Sequence, residues 1–101
     1  MSREIIVLSP HRPDIGSVRA PGLSIRNTYV FDVHDQLLVR IGVPVLVSVS
    51  GEAERLLGVS ISEPTWWVEL HAAASLQAEQ AARHCANGLA AQHNGTIWSA
   101  R

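Results

Sequence analysis

The sequence predicts a two-layer α+β sandwich, a largely antiparallel sheet of about five or six strands carrying one short and one long helix on one face. Three observations carry that expectation. Residues 65–72, Thr-Trp-Trp-Val-Glu-Leu-His-Ala, alternate with the period of a strand. Residues 75–93 repeat small apolar side chains at helical spacing and run out at Asn94-Gly95. Ahead of both, β-branched apolar runs at 4–9, 24–41 and 45–50 are punctuated by proline and glycine.

In chain order, Glu4 to Ser9 reads as a short strand that stops at Pro10. Pro10, Pro13, Gly16, Pro21 and Gly22 then break the chain into a long loop. Residues 24–33 and 36–41 read as the arms of a hairpin turning at His34-Asp35, without the glycine that a tight turn prefers. In the first arm Tyr29, Phe31 and Val33 point one way and Val30 and Asp32 the other; in the second, Leu37, Val39 and Ile41 oppose Leu38 and Arg40. Gly42 and Pro44 mark a bend or bulge. A fresh strand from Val45 to Ser50 follows, with Val45, Val47 and Val49 towards the core and Leu46, Ser48 and Ser50 away from it. Ser50 can cap a short helix at 51–57, where Glu52 and Glu54 suit the positive end of the helix dipole and Gly58 closes it. Residues 59–64 are a connection with room for a short strand at 59–61.

In the 65–72 strand Trp66, Val68, Leu70 and Ala72 share one face, and Trp67, Glu69 and His71 the other. Ser75 is the natural N-cap of the long helix, whose inward seam is Ala78, Ala81, Ala82, Cys85, Leu89 and Ala90. Thr96 to Ser99 is a last short strand. The expected core is Val7, Val45, Val47, Val49, Leu56, Trp66, Val68, Leu70, Ala78, Ala82, Cys85 and Leu89, with the 45–50 and 65–72 strands central. The chain reads as a single domain over 1–101, a strand, loop and hairpin at 1–42 joined to a βαβαβ core at 43–101. The element order of residues 43–100 resembles ferredoxin-like α+β sandwiches. That resemblance implies their layout and, since such a fold hosts many activities, no particular function.

Composition excludes several classes of chemistry. The 101 residues carry a formal net charge of −1 and no run of like charge, which disfavours nucleic acid and anionic membrane surfaces as partners. All eight basic residues are Arg, so the Lys of a Schiff-base enzyme or of a phosphate-binding P-loop is missing. Arginine and alanine in place of lysine point to a GC-rich bacterial genome. A single cysteine argues against a disulfide-stapled secreted scaffold. The apolar run of the N-terminal segment is too short for a signal peptide, and no stretch approaches a membrane span. The expected compartment is the cytoplasm.

Among candidate reactive groups, Cys85 falls on the alanine seam and reads as a small core residue. The five histidines, His11, His34, His71, His84 and His93, show no pairing at metal-ligand spacing among themselves, although His11 and His34 could converge. Neither a metal nor a cofactor is expected. His71 and Glu69 share a strand face, where a carboxylate could tune an imidazole for acid–base work; a cross-strand charge pair is the plainer reading. With helices on one face only, the other face of the sheet must be polar, self-covered or partnered. It is expected to carry Leu46, Trp67, Glu69 and His71, with Trp98 beside them. These five residues form the candidate partner surface. The expected function is a non-catalytic interaction or regulatory module that binds itself as a homodimer, or binds another protein. A small-molecule sensor domain and a small His71/Glu69 enzyme are the rivals.

Overall fold

Residues 3–47 and 65–99 are described by the structure, a computed structural model. In chain order they form β1 (Arg3–Ser9), a single 3-10 turn (Ile15–Ser17), β2 (Ser24–Arg26), β3 (Tyr29–Phe31), β4 (Leu37–Ile41), β5 (Val45–Val47), β6 (Thr65–Ala72), α1 (Leu76–Gln92) and β7 (Thr96–Ser99). The strands make one seven-stranded antiparallel sheet in the order β2-β3-β4-β6-β1-β7, with β5 paired to β6 beyond the end of β4. The class is α+β. The helix expected at 51–57, with Leu56, the end of the 45–50 strand, with Val49, and the short strand near 59–61 lie outside the described residues. No helix among the described residues is long and apolar enough to cross a membrane.

The sheet is larger than expected because residues 24–33 do not form one arm. Asn27 adopts φ 56°, a left-handed turn that asparagine tolerates, and folds β2 back onto β3. The turn between β3 and β4 needs no glycine because Asp32 organises it. Its carboxylate accepts from the backbone N–H of His34 at 2.8 Å and of Gln36 at 2.9 Å, while Asp35 takes φ 59°. The ladder slips between Val30 and Phe31, so Phe31 sits opposite Leu37 while Val30 sits opposite Val39. That bulge is why Leu38 is buried beside Val39 rather than facing away from it.

β6 is central, as expected, but its long partner is β1 and not the 45–50 segment. β1 pairs with β6 from Arg3 opposite Ala72 to Ser9 opposite Trp66, and with β7 along its other edge. Of the ferredoxin-like order expected over 43–100, the described residues carry the β6–α1–β7 split unit, closed around β1.

α1 starts where Ser75 Oγ accepts from the Ala78 N–H at 3.1 Å. It ends where Asn94 turns left-handed at φ 55° and the Gly95 N–H bonds back to the Ala90 carbonyl at 2.7 Å. Gly95 is also a close approach: a Cβ there would lie 2.5 Å from the Leu8 carbonyl oxygen. Its seam, Ala78, Ala81, Ala82, Cys85, Ala86, Leu89 and Ala90, packs on Ile5 and Val7 of β1, Val39 and Ile41 of β4, and Val68, Leu70 and Ala72 of β6. Small side chains bring the helix close to the sheet. Each fully buried leucine or valine in this layer contributes about 1.5–3 kcal/mol.

The loop at 10–23 belongs to this helical side. Val18 enters the core, and Gln92 of α1 clasps the Asp14 backbone with two hydrogen bonds, at 2.7 and 2.8 Å. A ring nitrogen of His84 lies 3.0 Å from the Arg19 carbonyl oxygen. The Ser17 hydroxyl and then the Gly16 N–H bond to the Asp14 carboxylate and hold its pKa below the ordinary value, with Arg19 adding to the effect.

The bend at 42–44 changes which side β5 serves. Ile41 sits opposite Leu70 and Val45 opposite Trp67, so the chain takes four steps against three on β6. One extra residue in an antiparallel ladder exchanges the two faces. Val45 and Val47 were expected in the core; the extra residue takes them to the side of Trp67 and Thr65, and Val45 is exposed. Trp66, also expected in the core, is half-buried, with the Arg12 guanidinium 5.7 Å from its ring centroid.

Candidate functional site

The sheet face away from α1 is built from rows of cross-strand partners, which project to the same side. One row runs Trp98, Ile6, Glu69. The next runs Thr96, Leu8, Trp67, Val45. A third runs Glu4, His71, Arg40. The rows divide the face into an apolar end and a charged end.

At the apolar end Ile6 and Leu8 are each only 2% exposed, although α1 lies on the opposite side of the sheet. Trp67 and Trp98, both half-buried, flank them in neighbouring rows with β1 between. Trp67 and Trp98 therefore share this face as expected. Leu46 does not: it pairs with Trp66 and so lies on the other side, and Val45 takes the place beside Trp67. The cause is again the extra residue at 42–44.

At the charged end the His71 imidazole stands between two carboxylates. Its Nδ1 is 3.7 Å from Glu4 Oε2 and its Nε2 is 3.5 Å from Glu69 Oε2. These separations are longer than ordinary hydrogen bonds. One ligand atom from each of Glu4, Glu69 and His71 lies within 4.8 Å of the other two, and these three residues could hold a metal ion. His71 also lines an open groove of about 280 Å³ with Leu37, Leu38, Val39, Arg40, Ala72 and Ala73. The arrangement can gather a cation.

Glu69 and His71 meet as the strand pattern implies. Glu4 is the member that the sequence reading missed. It is remote in sequence, and only the β1–β6 register brings it opposite His71. The sequence carried a signal for the site but not for Glu4: Glu69 and His71 at i and i+2 suit a ligand pair on a strand even though only one of the two is a histidine.

The remaining candidates stand apart. Cys85 is buried on the alanine seam, and burial pushes its thiol pKa up, which suppresses the thiolate. His11 meets His93, not His34, with ring centroids 5.3 Å apart in an edge-on arrangement. No protein family, curated protein or solved structure matches the chain.

Proposed function

We propose that the protein is a non-catalytic interaction module that binds a second copy of itself along β5 and the adjoining Trp67 on the sheet face away from α1. The observation that carries this reading is the run of apolar side chains left in solvent around β5: Val43 is 68% exposed, Val45 58% and Leu46 46%. Among the described residues no strand pairs with the outer edge of β5. An apolar edge of this kind is a template for another strand. A second copy suits it because an antiparallel edge related by a two-fold axis is its own complement and needs no opposite charge. Trp67, in register with Val45, would extend the contact onto the sheet face. The same reading takes the layout as a variant of the ferredoxin-like sandwich, supported by the β6–α1–β7 unit around β1.

Sedimentation equilibrium tests it. Wild type is expected at twice the 11.0 kDa chain mass, falling towards the single mass on dilution. Val45→Lys, which puts a charge on the edge, is expected to be monomeric with an unchanged circular dichroism spectrum. A wild-type chain that stays at 11.0 kDa at the highest attainable concentration overturns the proposal.

A further inference from the structure

The charged end of that face has no part in that association, and its geometry has a separate implication. Glu69 and His71 leave the same side of β6 two residues apart, and Glu4 leaves β1 directly opposite His71. Two positions on one strand and one on its antiparallel neighbour make a tripod. The strand spacing of about 4.8 Å and the two-residue step of about 6.8 Å are short enough for long side chains to converge on one point. Their ligand atoms already lie within 4.8 Å of one another.

Among the described residues neither carboxylate has a guanidinium partner. The ion pairs of Glu4 and of Glu69 are both with His71, and Arg26 is paired with Asp35. Two carboxylates and one imidazole thus face each other beside an open groove that Arg40 also lines.

We infer that Glu4, Glu69 and His71 form a binding site for one divalent transition-metal ion of the zinc class. The donor set decides the class. Calcium and magnesium favour oxygen ligands throughout, whereas an imidazole with two carboxylates suits zinc and its first-row neighbours. The two carboxylates neutralise the ion's charge. The groove side leaves coordination positions open to water, as in sites with three protein ligands. Binding requires the imidazole to give up any proton and turn one nitrogen to the ion.

Zinc chloride titrated into the full chain by isothermal calorimetry tests the site. Wild type is expected to take up one equivalent. Glu4→Gln, Glu69→Gln and His71→Asn are each expected to weaken uptake by at least about tenfold, the scale on which even outer-sphere partners act. His11→Ala is expected to leave it unchanged. All four side chains are partly or largely exposed, and each variant is checked for a wild-type circular dichroism spectrum. Absence of saturable uptake by wild type overturns the inference. So does binding that survives Glu4→Gln and His71→Asn but is lost in His11→Ala, which would put the ion on the His11/His93 pair. The mass measurement above is made without metal, so failure of one proposal leaves the other standing.

Discussion

The two faces of β6 are made by the same eight residues, in the same backbone, between the same neighbours, yet they have different fates. On one side Val68, Leu70 and Ala72 disappear beneath the alanine seam of α1. On the other, Trp67, Glu69 and His71 remain half-exposed. Alternation separates residues into two sets; what lies above each set decides which becomes core. The helix-facing set is committed to stability, whereas Trp67, Glu69 and His71 of the outward set keep surface that can carry chemistry or contacts.

The largest expected effect that would break this comparison is on the helical side. Leu70→Ala is expected to lower the unfolding free energy by about 2–5 kcal/mol in urea titration, through lost burial and an unfilled cavity. Val45→Ser is expected to stay within about 0.5 kcal/mol of wild type in the same assay on the monomer. Equal losses would mean that the outer side is a second core. Gly95→Ala comes next, at about 1–3 kcal/mol, because its Cβ would meet the Leu8 carbonyl and push β7 away from β1. Asp32→Ala is expected to cost about 1–2 kcal/mol by removing the acceptor for two backbone N–H groups, and Asp32→Asn to recover most of it.

The smallest expected effect is alkaline. Burial raises the Cys85 thiol above its ordinary value of 9.0, so the folded state favours the protonated form. Its contribution to stability is full below that ordinary value and is lost as pH rises through the raised one. The urea midpoint of wild type should therefore fall more steeply in alkali than that of Cys85→Ala. Identical slopes would mean that the thiol is not sealed beneath α1.

Local signals made much of this legible. The β6 alternation, the Ser75 cap, the alanine seam and the Asn94-Gly95 ending each depend on neighbours in sequence, and each stands where the sequence puts it. What escaped was set by pairing across the chain. Nothing in Arg3–Ser9 says that it lies between β6 and β7, so Glu4 was invisible as a partner of His71. The turn at Asn27 was hidden inside an apolar run whose β-branched residues read straight through it. Gly42 and Pro44 announced a bend but not how many residues it would use. The faces of Val45 and Leu46 depended on that count, and Leu46 was one of the five residues of the candidate surface.

The same count has an evolutionary reading. Deleting one residue between Ile41 and Val45 would leave three steps against three and keep Val45 opposite Trp67, whereas the same four steps paired without a bulge would set Val45 opposite Trp66 and turn it towards the interior. Pairing without the bulge, with no change in any side chain that β5 presents, would then redistribute solvent-facing hydrocarbon on this edge. Lineages of such a domain could gain or lose a sticky border at this bend alone, a route that substitution along β5 would reach only in several steps.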